Sequence, residues 1–205
     1  MAAIKNIIFD LGGVLLNIDY KKTSRAFTDL GVAGFDDLYS QVTANHLFEA
    51  LETGEISDEA FYAEMAPHCA PDTSVLQMQQ AWNRILLDFR EGSLEFLKQL
   101  RERYNIYLLS NTNSIHLQEF NRILQAQTGE ASLDEFFTKS YYSHIMKKRK
   151  PYPETYKWVL DDAGIEAEET LFIDDSINNI KGAMVAGLQT HLLLPNEKIE
   201  DLGLL

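Results

Sequence analysis

Short apolar runs recur along the chain, separated by stretches with helical spacing. Residues 4–9, 106–110, 140–142, 170–174 and 189–194 read as strands. The first carries Ile7, Ile8 and Phe9 in succession rather than at alternate positions, as expected of a strand buried on both faces. Leu94, Leu97 and Leu100 form the apolar stripe of a helix, and residues 115–125 form another. The helix over 154–163 opens after Pro153 and stops at Gly164, and the helix over 177–186 stops at Gly187. This alternation predicts an α/β fold, a doubly wound and mostly parallel sheet.

Residues 19–87 break the rhythm and hold no convincing strand. Helical patterns run over 20–30 up to Gly31, over 35–51 to near Gly54, and over 75–87. Between them Ser57 is placed to cap a helix with Asp58 and Glu59 in its first turn. The expected layout is an α/β core, residues 1–18 and 88–205, with a helical bundle, residues 19–87, inserted after the first strand.

Composition narrows the function classes. The chain has 205 residues, 45% hydrophobic and 11% aromatic, enough for a sizeable core. Its 18 basic against 31 acidic residues give a net charge of −13, which argues against nucleic acid as a partner. The single cysteine, Cys69, excludes an intrachain disulfide framework and a cysteine-rich zinc site. No apolar run approaches the roughly 20 residues of a membrane span, and Asp10 ends the short N-terminal run before a signal peptide could form. A cytoplasmic protein with no membrane partner, monomeric or a small homo-oligomer, is expected.

Four polar clusters close predicted strands, where chemistry collects in parallel sheets. Asp10 ends the first and is followed by Leu11, Gly12 and Gly13, whose backbone can turn tightly around an anion. Taken alone it is either a reactive carboxylate or the start of a turn. Ser110 and Asn111 end the second and open a helix, as caps or as a phosphate site. Lys150 ends the basic run from Lys147, which by itself is an ordinary solvated loop, and Pro151 keeps it extended. Asp174 and Asp175 are adjacent carboxylates that repel one another unless a cation intervenes, and hard oxygen donors favour Mg²⁺. The five histidines show no metal-ligand spacing.

In this order the clusters resemble the haloacid dehalogenase-like hydrolase superfamily, with Asp10, Ser110 and Asn111, Lys150, and Asp174-Asp175 matching its four motifs. The helical insert matches its cap. GEISDEAF (54–61), LSNTN (109–113) and the stretches 9–13, 149–151 and 174–183 are similar to small bacterial sugar-phosphate phosphatases of the glucose-1-phosphatase type. The resemblance implies that Asp10 is a nucleophile forming an aspartyl-phosphate. It implies Mg²⁺ bound by Asp10, the Gly12 carbonyl and Asp175, with Asp174 acting through water or a neighbouring group. Lys150 would offset charge. Backbone N–H groups at Leu11 and Gly12, the Ser110 hydroxyl and the Asn111 N–H would hold phosphoryl oxygens, and Asn179 would orient the Asp175 loop or Lys150.

One departure stands out. Most phosphatases of the superfamily carry a second Asp, an acid for the leaving group, where this chain has Gly12. Such help is typically worth about 10²–10⁴ in rate. The expected substrate is therefore a small phosphorylated metabolite with a good leaving group, such as a sugar 1-phosphate, with Asp19 a candidate replacement acid. A metal-free 2-haloacid dehalogenase and a catalytically weak phosphate-binding relative are the alternatives. In the insert, residues 46–54 and those near Trp82 and Asn83 are candidates for substrate choice. Glu49 and Glu52 either bond sugar hydroxyls or form a solvated face.

Overall fold

A computed structural model describes residues 2–35 and 46–205. Among them seven strands form: β1 (Asn6–Phe9), β2 (Leu16–Ile18), β3 (Leu86–Phe89), β4 (Asn105–Ser110), β5 (Lys139–Tyr142), β6 (Thr170–Asp174) and β7 (Gln189–Leu192). Five make one parallel sheet in the order β5-β4-β1-β6-β7, with β1 central. Residue alternation explains its two buried faces. Ile7 and Phe9 pack with Ile106, Leu108 and Ile173 on one face, and Ile8 packs with Tyr107, Leu109 and Phe172 on the other.

Helices cover both faces. In chain order they are α1 (Tyr20–Asp29), α2 (His46–Glu52), α3 (Asp58–Met65), α4 (Val75–Asn83), α5 (Glu91–Leu100), α6 (Ser114–Thr128), α7 (Ser143–Met146), α8 (Pro153–Ala163) and α9 (Ile177–Val185). Leu94, Leu97 and Leu100 of α5 and Phe120 and Leu124 of α6 complete the first face. Tyr156, Val159 and Leu160 of α8 and Ile180 and Ala183 of α9 complete the second. The doubly wound sheet expected from the strand–helix alternation is present.

Helices α1 to α4, with Phe35 from the segment after α1, hold a separate aromatic cluster of Phe27, Phe35, Phe48, Phe61 and Trp82, joined by Ile115 of α6. Phe48 stacks on Trp82 at 5.4 Å and Phe27 on Phe35 at 4.4 Å. Ser57 caps α3, accepting from the Ala60 N–H at 3.2 Å. Residues 36–45 of the helix expected over 35–51 lie outside the described residues.

The helix expected over 75–87 ends at Asn83, and its last residues enter a strand. The cause is a partner distant in sequence. β3 pairs antiparallel with β2, and Asp19 N–H to Ile85 O and Arg90 N–H to Leu15 O, each 2.9 Å, tie the ends. This two-stranded ribbon lies at the junction of the two groups of helices. Among the described residues no helix is long and apolar enough to cross a membrane.

Candidate active site

The parallel register brings the strand ends to one level, with Phe9 beside both Leu108 and Ile173. Asp10, Ser110 and Asp174 therefore emerge together. After Asp10 the chain folds back, with Gly13 N–H donating to Leu16 O at 2.8 Å. Gly13 has φ +75°, and a Cβ there would overlap the Asp175 carboxylate. Only glycine fits both demands.

Lys150 binds the two acidic motifs together. Its Nζ lies 2.7 Å from Asp10 Oδ1 and 2.7 Å from Asp174 Oδ2, and the side chain is 1% exposed. Asn111 fixes its backbone, accepting from Lys150 N–H and donating through Nδ2 to Lys150 O, both at 2.9 Å. Asp174 also accepts from Ser176 N–H at 2.8 Å and from Asn179 Nδ2 at 3.0 and 3.1 Å. Its carboxylate is thus occupied within the protein.

Burial pushes the Asp10 carboxyl up to about 7. Lys150 pulls against that, and Asp174 and Asp175 add to it. Burial, followed by Asp174, also raises Asp175. Burial works against the Lys150 charge, but Asp10 and Asp174 override it and hold the ammonium above its ordinary range. Oxygens of Asp10, Asp174 and Asp175 lie within 4.8 Å of one another. Three carboxylates against one lysine leave an excess of negative charge on hard oxygen donors, and this set fits a divalent cation of the Mg²⁺ type.

A cleft of about 400 Å³ opens over these groups. Asp10, Leu11, Gly12, Ser110, Asn111, Lys150 and Asp175 all line it. Asp174 lies beneath it, fully buried. Asp19 is not part of its wall. It ends the ribbon and caps α1, accepting from Lys21 N–H at 2.9 Å. The next residue, Tyr20, lines the cleft instead. At Gly12 a Cβ would lie 3.2 Å from Ile18 Cδ1, so Ile18 crowds the space where an acid at position 12 would begin.

The far wall includes Glu49 and Glu52, candidates from the sequence, whereas its apolar residues and Tyr152 went unread there. Ile18, Ile85, Leu86 and Phe120 form its apolar part, and Glu49, Glu52, Arg149 and Tyr152 its polar part. Arg149 reaches Glu49 Oε1 at 3.5 Å and Glu52 Oε2 at 3.0 Å, and Tyr152 Oη donates to Glu49 Oε1 at 3.2 Å. Burial raises the Glu52 carboxyl, with Arg149 opposing. The available signal was the i, i+3 spacing of Glu49 and Glu52, which puts them on one helix face. His116 also lines the cleft. It stacks on Trp82 at 4.8 Å with Nδ1 2.9 Å from Asn83 Oδ1, and burial lowers its pKa to about 3, so it is neutral.

Comparison with known proteins bears directly on this arrangement. The model of the haloacid dehalogenase-like hydrolase family matches residues 4–187. The chain belongs to this family. It is 32% identical to the D-ribitol-5-phosphate phosphatase of Bacteroides thetaiotaomicron over 187 residues, 91% of this chain and 90% of the relative. Among solved structures, it is similar to a variant of a family enzyme from the same organism in complex with magnesium and inorganic phosphate. The TM-score is 0.90 at 35% identity, covering 96% of this chain and 97% of the other. A predicted family hydrolase from Porphyromonas gingivalis gives a TM-score of 0.86 at 33% identity, over 96% and 94% of the two chains. As a member of this family the chain is a hydrolase.

Proposed function

We propose that the chain is a Mg²⁺-dependent phosphatase of sugar or sugar-alcohol phosphates. The observation that carries this is the Asp10–Lys150–Asp174 constellation facing Asp175 at the floor of one cleft. The identity with a D-ribitol-5-phosphate phosphatase and the magnesium and phosphate held by a structural neighbour support it. A phosphorylated metabolite also suits the cytoplasmic setting expected from the sequence.

Asp10 attacks phosphorus, the ester P–O bond breaks, and an aspartyl-phosphate forms as the alcohol leaves. Water then attacks that phosphorus, releasing phosphate and restoring the Asp10 carboxylate. Asp10, the Gly12 carbonyl and Asp175 would hold Mg²⁺, which supplies positive charge against the repulsion between carboxylate and phosphate dianion. Lys150 adds a second positive charge, and Asp174, Asn179 and Ser176 keep it aligned. The Ser110 hydroxyl and the Leu11, Gly12 and Asn111 N–H groups hold the phosphoryl oxygens. Helices α1 to α4 cap the cleft and limit water.

With glycine at position 12, the leaving alcohol takes its proton from water. A sugar 1-phosphate suits that, because its anomeric hydroxyl is more acidic than an ordinary alcohol. An alditol 5-phosphate, the substrate class named for the relative, leaves as an ordinary primary alcohol. Phosphate release from both classes with Mg²⁺, with Asp10→Asn as the blank, tests the reading. Release lost in Asp10→Asn and on adding EDTA is expected. Release unchanged in Asp10→Asn, or metal-independent halide release from a 2-haloacid, overturns it.

A further inference from the structure

We infer that Glu49 and Glu52 select substrates by the charge of the part remote from the phosphate, favouring an uncharged polyhydroxylated tail and rejecting a second anionic group. This rests on the phosphatase reading and deepens it.

The cleft has two unlike ends. Its floor holds Lys150 and the carboxylates that would hold Mg²⁺, and with both cations in place it can receive a phosphate. Its polar wall carries Glu49 and Glu52 of α2 around Arg149. Two carboxylates against one guanidinium leave that wall with no net positive charge, even with Glu52 protonated, so a second phosphate or a carboxylate finds no free cation there. Lys147 donates to Gly54 O at 3.3 Å, and neither it nor Lys148 lines the cleft.

Hydroxyls suit this wall. Glu52 Oε2 is buried 3.0 Å from Arg149 without a well-formed hydrogen bond, so this carboxylate keeps accepting capacity that a hydroxyl can use. Among the described residues, Glu49 Oε1 takes the 3.2 Å bond from Tyr152 and the looser 3.5 Å approach of Arg149. A carboxylate accepts through two oxygens and matches vicinal hydroxyls well. The remaining wall, Ile18, Ile85, Leu86 and Phe120, gives the carbon side of such a tail a surface to lie on.

The test compares kcat/KM for ribitol 5-phosphate, whose tail is neutral, with 3-phosphoglycerate and fructose 1,6-bisphosphate, using the whole chain with Mg²⁺. Wild type should prefer the neutral tail by about 10- to 100-fold, the range of a hydrogen bond to a charged group. Glu52→Gln should shrink that ratio at least about tenfold, mostly through KM. Glu49→Gln, at a more exposed position, should shrink it less and serves where Glu52→Gln folds poorly. A wild-type preference for the anionic tails, or ratios unmoved by both variants, overturns the inference and leaves the phosphatase reading intact. Absence of phosphate release from every ester by wild type defeats the phosphatase reading itself.

Discussion

Two neighbouring cations, Arg149 and Lys150, are each paired with two carboxylates, yet they do different work. Lys150 joins Asp10 and Asp174 at 2.7 Å each, and all three groups stand at the ends of the sheet or in the loops leaving it. Arg149 joins Glu49 and Glu52 at 3.5 and 3.0 Å, and both of its partners come from α2 in the other helical group. The Lys150 side chain is 1% exposed and that of Arg149 17%. The same chemistry thus makes a fully buried floor in one place and a partly buried contact between the two helical groups in the other. Pairing energy alone does not distinguish them. Burial and the rigidity of the supporting elements do.

The strongest way to break this comparison is to remove each cation. Lys150→Met leaves Asp10 and Asp174 facing one another without compensation and should cost about 3–5 kcal/mol at pH 8. Arg149→Met should cost less, about 1–3 kcal/mol, because its pairs are partly rather than fully buried. Urea denaturation without metal reads both. The Lys150→Met cost should fall at pH 5, because burial puts the Asp10 carboxyl at about 7 even with Lys150 opposing and higher without it, so Asp10 is neutral there in both proteins. Equal costs for the two variants would erase the distinction.

A second seam sharpens it through pH. His116 of α6 stacks on Trp82 of α4, and burial lowers its pKa from 6.5 to about 3. The unfolded chain therefore binds the extra proton first. His116 supports full stability above pH 6.5, and that support is lost as pH falls toward 3, by up to about 1.4 kcal/mol per unit. Between pH 6.5 and pH 5 the loss is about 1.6 kcal/mol, and His116→Gln should remove this part of the slope. An unchanged slope in the variant would show that this seam is not where acid acts.

Gly13→Ala probes the floor without altering charge. The φ of +75° and the overlap with Asp175 should together cost about 1–2 kcal/mol and displace the Asp175 carboxylate. Thermal melting should fall and Mg²⁺ titration by calorimetry should weaken. Wild-type affinity in this variant would remove Asp175 from the metal site.

The two regions also differ in what their sequence discloses. The floor is local. Asp10 follows Ile7-Ile8-Phe9 and Asp174 follows Leu171-Phe172-Ile173, so strand pattern and reactive residue are read together. The far wall is not local. Arg149 meets Glu49 and Glu52 about a hundred positions away, and nothing around Arg149 distinguishes it from the solvated bases at Lys147 and Lys148. His116 acquires its neutral, buried state only when Trp82 covers it. The β2–β3 ribbon was hidden for a similar reason. Leu86-Leu87 continues a helical pattern, and its strand partner lies some seventy residues earlier. The Asn111 contacts to Lys150 were invisible too, because an asparagine after a strand reads first as a cap or a phosphate ligand.

Asp19 gives the smallest expected effect and the cleanest separation of position from chemistry. It lies between a strand of the ribbon and a helix facing the cleft, which made it a candidate for the acid missing at Gly12. Its carboxylate instead accepts from Lys21 N–H at 2.9 Å as the cap of α1. Asparagine caps a helix about as well as aspartate, whereas alanine forfeits about 1 kcal/mol. Asp19→Asn should therefore leave both melting temperature and kcat near wild type, and Asp19→Ala should lower the melting temperature alone. A catalytic acid behaves otherwise: both substitutions would lower kcat, by about 10² or more for an alditol 5-phosphate and less for a sugar 1-phosphate, whose alcohol leaves more readily. The two esters measured side by side in Asp19→Asn decide between a cap and an acid, since a capping role gives no reason for the loss to follow the leaving group.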